Sequence, residues 1–335
     1  MIDPMRTSLN TIFVFLCLIT SSCSLCAQKR QSIPVIFDSD MGPDYDDVGA
    51  ITLLHAFADS GYVRILATVA STKYQGVAAV FNVFNTYFRR PGLLIGVPKG
   101  KALELKDWQH WSDTLLSKYP HKVIKNQEVP DAMEVYRKVL ASQSDQSVTI
   151  ITTGFLTNLY ALLISPADKY SKLNGKSLVA KKVKQLVCMA GKFPSGSEFN
   201  VDRDPIASQF VFENWPTPVL LSGFEIGVKI KTGLPLVHNE SIINSPVKDV
   251  FRISIPLSAE DSMGRKSWDE TAVLVAVLGY KPWYQIDKGK MIVAGDGSNT
   301  WVSQPAVHRH LVEQQSPEIV QRLINGLMMH QPRKK

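Results

Sequence analysis

Short apolar segments alternate with amphipathic segments along most of the chain. Runs of apolar and β-branched residues bounded by turn residues predict strands at Ile33–Asp38, Val63–Ser71, Leu93–Val97, Val148–Thr153, Val183–Ala190 and Val219–Ser222. Stretches with helical spacing lie between them, at Asp47–Ala58, Val77–Phe88, Ala132–Ser142 and Pro205–Glu213. Strands that are apolar on both faces and alternate with helices are typical of parallel sheets. The pattern predicts an α/β fold with an open, mostly parallel sheet and helices on both faces.

Acidic residues are concentrated directly after the first predicted strand. The segment FDSDMGPDYDD carries Asp38, Asp40, Asp44, Asp46 and Asp47 within ten residues. In open parallel sheets, ligands bind in the crevice outside the carboxyl ends of the strands. This loop is therefore the first place to look for a functional site.

So many neighbouring carboxylates repel each other unless a cation neutralises them or some of them are protonated. A hard divalent ion is the simplest solution, because Ca²⁺ prefers carboxylate, carbonyl and water oxygens. The loop has no His or Cys, which argues against zinc. A structural alternative stays open, in which Asp47 only supplies a negative charge to the N-terminus of the next helix.

Polar groups also follow three other predicted elements. Thr153 ends the strand in TTGFLTN, and Glu198 and Asn200 stand in SEFNVDRDP before a helix that Pro205 can start. Asp269 begins the apolar helix of WDETAVLVAV. Each of these residues taken alone is an ordinary cap or turn residue. Together they place acidic and amide groups at one edge of a sheet and favour a site.

These motifs resemble the nucleoside N-ribohydrolases of the inosine-uridine type. The family begins with a strand followed by Asp-x-Asp-x-Gly-x-Asp-Asp-x-x-Ala, and DSDMGPDYDDVGA fits with two extra residues between Gly42 and the Asp pair. The segments TTGFLTN, SEFNVDRDPIA and WDETAV extend the likeness over about residues 33–325. The resemblance implies hydrolysis of the N-glycosidic bond of a nucleoside or related riboside.

The resemblance also implies a division of labour among the polar residues. A calcium ion would be held by Asp40, Asp47, the Thr153 carbonyl and Asp269. Ribose hydroxyls would be bound by Asp46, Glu198, Asn200 and Asp269. Asp40 together with the metal would activate the attacking water, with Asp40 as general base. Asp38 would orient the loop.

The family assigns no role to Asp44, which lies in the insertion, and an alternative is that Asp44 replaces Asp46. The chain departs from the family at the leaving group, because Trp268 stands where well-known members carry a His. Trp268 can stack on a base but cannot act as an imidazolium does. His110 in DWQHW is a candidate replacement acid.

Two further departures concern the substrate. The segment ASTKYQG replaces a Gly-Asn of the family, so that Ser71, Thr72 or Lys73 would have to contact ribose. Lys192 aligns near a family Asn and is predicted to face the 5′ end of the substrate, where it would suit an anionic group. These changes leave the aglycone open.

The first residues predict export. Arg6 precedes the apolar run 12–19 and a small-residue segment ending at Ala27, as in a signal peptide at 1–27 followed by a single domain at 28–335. A periplasmic or extracellular location follows, and lipid attachment at Cys23 or Cys26 is an alternative. Cys188 is the one Cys of the predicted mature chain, which excludes intramolecular disulfides there.

The net charge and the length of the apolar runs restrict the kinds of partner that the chain can bind. The net charge of +7 is spread along the chain and concentrated only in the terminal PRKK, which argues against a nucleic-acid partner. No apolar run is long enough for a permanent membrane span. A small-molecule nucleoside or riboside is the expected partner, and the family resemblance adds a homo-oligomer.

The sequence is compatible with two alternative functions, a phosphatase and a binding protein without turnover. VIFDSDMG and MIVAGDGSNT resemble the Asp-x-Asp and Gly-Asp-Gly motifs of haloacid-dehalogenase-type phosphatases, although that reading leaves Glu198, Asn200 and Asp269 without a role. The second alternative is a calcium-dependent nucleoside or sugar binder without turnover. The sequence favours a calcium-dependent N-glycosyl hydrolase over both.

Overall fold

The computed structural model describes residues 31–305 and 308–332. The predicted signal peptide at 1–27 and the terminal RKK lie outside these residues. The described residues belong to one compact unit that begins at Gln31. None of the helices in the described ranges is long and apolar enough to cross a membrane.

Ten strands of the described ranges form one sheet in the order β3-β2-β1-β4-β5-β7-β12-β10-β11-β6, and β8 and β9 form a separate antiparallel pair. The bounds of the strands are β1 Ile33–Ser39, β2 Val63–Ala70, β3 Leu94–Gly96, β4 Val148–Thr152, β5 Val183–Met189, β6 Ser195–Gly196, β7 Val219–Ser222, β8 Lys231–Thr232, β9 Arg265–Lys266, β10 Tyr284–Val293, β11 Asn299–Ser303 and β12 His308–Glu313.

Helices cover both faces of the sheet. Their bounds are α1 Asp46–Asp59, α2 Val77–Tyr87, α3 Trp111–Lys118, α4 Ala132–Ala141, α5 Thr157–Ile164, α6 Gly175–Lys182, α7 Phe199–Asp202, α8 Pro205–Asn214, α9 Phe224–Gly227, α10 Leu234–His238, α11 Pro246–Ser254, α12 Trp268–Leu278 and α13 Pro317–Met328. Short 3₁₀ turns lie at Asn126–Glu128, Ile255–Leu257 and Ala259–Asp261.

The sequence pattern predicted the parallel half of the sheet. The pairings from β3 across to β12 are parallel, and each predicted strand and helix ends within a few residues of its observed bounds. The predicted open α/β fold is confirmed. The pattern did not predict β10, β11 and β12, in which exposed and buried residues are mixed, as expected of strands at an antiparallel edge.

Two apolar layers hold the sheet from either side. One layer packs helices α1, α2, α11, α12 and α13 against it, and the other packs α4, α5, α6 and α8. The middle strands β1 and β4 are buried almost throughout. The packing on both faces therefore fixes the ends of β1 and β4. The end of β1 leads into the segment 38–47 with its five Asp residues, called the acidic loop below, and the end of β4 leads into Thr153.

Candidate active site

The acidic loop lies where the direction of strand addition reverses. The chain adds β2 and β3 on one side of β1 and then returns to place β4 on the other side. At such a switch point, the loops that follow the two adjacent strands diverge and leave a crevice. The Thr153 backbone N–H donates to the Asp38 carbonyl over 2.8 Å, so the segments after β1 and β4 are joined at this edge.

A cavity of about 240 Å³ opens at this edge. Acidic and aromatic residues are prominent in its lining, which consists of Asp40, Asp44, Asp46, Thr153, Met189, Ser197, Glu198, Phe199, Asn200, Phe224, Glu260, Arg265, Trp268 and Asp269. The structure thus brings together residues from the four sequence motifs at 38–50, 152–158, 197–207 and 268–273.

Asp38 supports the loop from below the cavity. The Tyr136 hydroxyl donates to Asp38 Oδ2 over 2.7 Å, and the Asn158 amide donates to the same oxygen over 3.1 Å. Burial raises the pKa of Asp38 to about 7, although these two donors oppose the shift. This geometry agrees with the predicted orienting role of Asp38.

Asp47 and Asp40 each keep one carboxylate oxygen without a partner. Asp47 Oδ1 accepts from the Ser39 hydroxyl at 2.6 Å and from the Thr153 hydroxyl at 2.8 Å. Among the described residues, Asp47 Oδ2 and Asp40 Oδ2 are buried and have no hydrogen-bond partner. A buried polar atom without a partner costs about 1–3 kcal/mol, which indicates that these oxygens are arranged for a ligand.

Burial and mutual repulsion disfavour the charged forms of this acidic core. Burial raises the pKa of Asp47 to about 6. The pKa of Asp40 lies well above its usual value because of burial and then the nearby Asp47 charge, and the pKa of Asp269 is raised by burial and by Asp46, Asp47 and Asp40. A bound cation would reverse these shifts and keep the carboxylates ionised.

The residues fit a hard cation in their chemistry. In the part of the chain that the structure describes, no three His, Cys, Asp or Glu side chains already form a metal-binding group. The donors that lie at this edge are nevertheless all oxygens, and two of them are the orphaned oxygens of Asp40 and Asp47. Oxygen-only ligand sets suit Ca²⁺ or Mg²⁺ rather than zinc.

Glu198 and Asn200 form the neighbouring polar wall. Glu198 accepts from the backbone N–H groups of Asn200 at 2.9 Å and Gly191 at 3.1 Å, and burial raises its pKa to about 7. The Asn200 amide N–H donates to the carbonyl oxygens of Thr153 at 3.0 Å and Met189 at 3.2 Å. The side chain is thereby fixed in orientation at the cavity wall.

Asp46 has partners that the sequence did not suggest. Its Oδ1 accepts from Arg265 Nε at 3.2 Å and Nη2 at 2.9 Å, and its Oδ2 accepts from the backbone N–H groups of Trp268 and Asp269. Asp46 therefore caps α12 and pairs with Arg265. Both of its oxygens accept hydrogen bonds within the chain, and Asp46 also lines the cavity, so its predicted contact with ribose stays a prediction.

The two-residue insertion completes the surroundings of Arg265. Asp44 forms an ion pair with Arg265 Nη2, and the Tyr45 ring centroid lies 4.8 Å from the guanidinium. The Tyr45 hydroxyl donates to Asp261 Oδ2 over 2.7 Å, and Arg265 Nη1 lies 3.5 Å from the same oxygen. Asp44 thus pairs with a cation beside Asp46 and does not replace it.

Trp268 lines the cavity as predicted, but its donor is already used. The indole N–H donates to the Phe224 carbonyl over 2.8 Å, and the rings of the two residues lie 5.3 Å apart. The side chain presents an aromatic surface and has no N–H left for a substrate. Any leaving-group contact must come from another residue.

The candidate acid His110 is misplaced for this role. Its side chain is 75% exposed and pairs with Asp113 at the start of α3, and it does not line the cavity. The sequence could not show this, because a His between two Trp residues is equally compatible with a pocket and with the surface. The proposal of His110 as acid is therefore wrong.

Lys192 also lies apart from the cavity lining. Its side chain is exposed, and its ammonium group stands 5.1 Å from the centroid of the Phe224 ring, which does line the cavity. The backbone N–H and carbonyl of Lys192 pair with the Asn299 side chain. The ammonium group of Lys192 thus lies near an aromatic wall residue, and Lys192 itself does not line the cavity.

The segment after β2 makes its contacts elsewhere. Ser71 accepts from the backbone N–H of Phe155, Thr72 bonds to the segment at Leu103 and Leu105, and Lys73 donates to Gly100. None of the three residues lines the cavity. The expectation that one of them contacts ribose is not met by this geometry.

Arg265 is the important residue that sequence reasoning missed. It is 7% exposed and lines the cavity. Among the described residues that line the cavity, it is the only one with a cationic side chain. Its sequence context, GRKSW, resembles any solvated basic turn. The one available signal was the surplus of Asp residues in the loop, for which a metal ion was the only cation predicted.

Comparison with known proteins agrees with the site. The family model described as inosine-uridine preferring nucleoside hydrolase matches residues 35–305. The pyrimidine-specific ribonucleoside hydrolase RihA of Salmonella enteritidis is 25% identical over 225 residues, which cover 65% of this chain and 69% of that protein. RihA of a Shewanella species is 26% identical over 234 residues, which cover 68% of this chain and 67% of that protein.

Solved structures share the fold. A plant nucleoside hydrolase superposes with a TM-score of 0.68 at 19% identity, covering 89% of this chain and 99% of that one. The inosine-uridine preferring nucleoside hydrolase of Bacillus anthracis gives the same TM-score at 16% identity, covering 89% and 99%.

The chain belongs to the inosine-uridine preferring nucleoside hydrolase family. The prediction of an enzyme that hydrolyses N-glycosidic bonds of nucleosides is confirmed at the level of this class. The phosphatase alternative is wrong, and Asp296 of its supposed late motif lies in the turn between β10 and β11, where it accepts from Ser298.

The engagement of Asp46 predicts a large stability effect. Asp46→Ala should lower the free energy of unfolding by about 3–5 kcal/mol, because it leaves Arg265 buried without this partner and uncaps α12. Asp113→Ala, which removes a half-exposed partner of Lys106, serves as the control and should cost no more than about 1 kcal/mol. Urea unfolding of both variants measures the difference, and equal losses would contradict the structural role of Asp46.

Proposed function

We propose that the chain is a calcium-dependent N-ribohydrolase in which Asp40 is the general base. The observation that carries the proposal is the pair of buried, unpartnered oxygens of Asp40 and Asp47, of which Asp40 lines the cavity that Glu198 and Asn200 also line. A cation site and a polar wall for a sugar meet there. Few other reactions need both groups around one small cavity.

The proposed cation ligands are Asp40, Asp47, the Thr153 carbonyl and Asp269. When bound, Ca²⁺ supplies Lewis-acid chemistry that lowers the pKa of water in its coordination shell. Asp40 accepts the proton of the attacking water, and the bound cation keeps its carboxylate ionised so that it can do so. Ser39 and Thr153 hold Asp47 in place through its other oxygen.

Glu198, Asn200 and Asp269 are the proposed ribose contacts. Glu198 and Asn200 are fixed by backbone partners, so their remaining acceptor capacity faces the substrate without rearrangement. Fixed acceptors and nearby carboxylates stabilise the positive charge that develops on the sugar when an N-glycosidic bond breaks. Asp46 contributes indirectly, by anchoring Asp269 and Arg265.

The proposed aglycone side is aromatic. Trp268, Phe224 and Phe199 line the cavity, and such rings stack on planar bases. This surface suits a nucleobase without selecting one, so the base is not assigned. The RihA relatives are described as pyrimidine-specific, which makes uridine and cytidine the first substrates to try.

Calcium should stabilise the protein through the proposed ligands. At 1,000 times its Kd, Ca²⁺ should add about 4 kcal/mol to the free energy of unfolding, and chelation should remove this gain. Asp47→Asn should abolish most of the calcium effect, whereas the control Asp44→Asn, outside the proposed ligand set, should retain it. Thermal unfolding with Ca²⁺, with Mg²⁺ and with chelator measures the effect, and an unchanged melting temperature would refute the calcium site.

Turnover should depend on Asp40. Asp40→Asn should lower kcat for a riboside by about 10²–10⁴-fold, because the general base is lost. Ribose release from purine, pyrimidine and nicotinamide ribosides, with and without chelator, measures this. Tight calcium-dependent riboside binding without release by the wild type would instead identify a binder.

Export through residues 1–27 is a further part of the proposal, supported by the charged start, the apolar run and the small-residue end. Expression of the full chain in a bacterium with two membranes, followed by fractionation and N-terminal sequencing, tests it. Processing near Ala27 with release into the periplasm is the expected result. An unprocessed chain retained in the cytoplasm would contradict it, and a lipid-modified Cys would identify an anchored form.

A further inference from the structure

The reaction needs a group that stabilises the departing aglycone, and most donors in the cavity are already used. The hydroxyl of Ser197 donates to Asp202, and that of Thr153 donates to Asp47. The amide of Asn200 donates to backbone carbonyls, and the indole of Trp268 donates to Phe224. Neutral donors of the cavity lining are therefore committed within the protein.

Arg265 is different from these donors in charge and in capacity. A guanidinium group has five N–H donors and stays protonated in proteins. Nε and Nη2 bond to Asp46, and Nη2 also pairs with Asp44. Within the described residues, Nη1 forms no hydrogen bond and its nearest acidic oxygen is Asp261 Oδ2 at 3.5 Å. Arg265 thus lines the cavity and keeps one guanidinium nitrogen, Nη1, without a hydrogen bond among the described residues.

The position of Arg265 also suits a contact with the aglycone. Its guanidinium carbon lies 5.2 Å from the centroid of the Trp268 ring, and both residues line the cavity. It is held between Trp268 and Tyr45 by cation–π contacts and by three acidic residues. A side chain fixed in this way needs no reorganisation when negative charge develops nearby, which is the condition for strong electrostatic stabilisation.

We propose that Arg265 is the leaving-group residue of this enzyme and donates an N–H to the aglycone as the N-glycosidic bond breaks. In this step the C1′–N bond breaks and its electron pair stays on the aglycone nitrogen. The water oxygen bonds to C1′, and the water proton passes to Asp40. The aglycone leaves as an anion paired with Arg265 and takes a proton from solvent after release.

The inference rests on the proposed function and explains the two-residue insertion. Asp44 and Tyr45, which the insertion contributes, both contact Arg265. The insertion and the arginine therefore form one arrangement, in a chain whose Trp268 cannot protonate a base.

The test compares two kinds of leaving group on the purified protein with Ca²⁺. A nucleoside that the wild type hydrolyses needs stabilisation of its departing base. p-Nitrophenyl β-ribofuranoside needs far less, because p-nitrophenolate is a stable anion. Arg265→Gln should lower kcat for the nucleoside by about 10²–10³-fold. The loss of kcat for the aryl riboside should be smaller than this by a factor of at least ~10. Arg265→Lys, which keeps the charge, should recover part of the nucleoside activity.

The outcomes separate the inference from the proposed function. If the wild type hydrolyses neither substrate, the proposed function fails. If it hydrolyses both and Arg265→Gln loses both to the same extent, the hydrolase stands and the leaving-group role is overturned, since a merely structural role affects both substrates alike.

Folding of the variants is checked by circular dichroism and thermal unfolding. Should Arg265→Gln fail to fold, Arg265→Lys carries the comparison, because it keeps a cation between the acidic residues. Should both fail, a series of aryl ribosides with phenols of increasing pKa is measured on the wild type. A shallow decline of kcat with phenol pKa supports a donor at the leaving group, and a steep decline overturns it.

Discussion

The repulsion among buried carboxylates at the ends of β1 and β4 is the constraint on which the rest of this site depends. Asp40, Asp46, Asp47 and Asp269 lie close enough that each raises the pKa of another. Such a group is stable only if its charge is balanced by a cation or reduced by protonation. The structure balances one part with Arg265 and leaves the other part, at Asp40 and Asp47, with unpartnered oxygens that suit a cation.

This division gives the acidic residues separate tasks although they are neighbours in sequence. Asp46 and Asp47 are adjacent, yet Asp46 turns toward Arg265 and the start of α12, whereas Asp47 turns toward Ser39 and Thr153. Successive residues in the first turn of a helix point in different directions, so one loop can serve two structures. A single segment therefore contacts both Arg265 and the proposed cation site.

The sequence predicted the fold and most of the site because both depend on local signals. Strand periodicity located β1, β4 and β5, and strand-end polar residues located Thr153, Glu198 and Asn200, which the structure brings to one cavity. The contacts of Asp46 could not be predicted, since its partner Arg265 lies 219 residues further along the chain. A local pattern contains no information about such a pairing. His110 was misjudged for another reason, because its neighbouring Trp residues are compatible with a pocket and with the surface alike.

The pairing of β6 with β11 has a consequence for how the chain can be divided. Ser195 and Gly196 precede Glu198 and Asn200 directly, and they pair with Thr300 and Asn299 near the end of the sheet. A fragment ending before β10 would retain the lining residues of the cavity but would lose this pairing beside the segment 197–200, which carries four of them. The antiparallel strand β11 thus supports the segment that carries Glu198 and Asn200. A fragment that keeps this support must extend beyond the last catalytic motif, through β11.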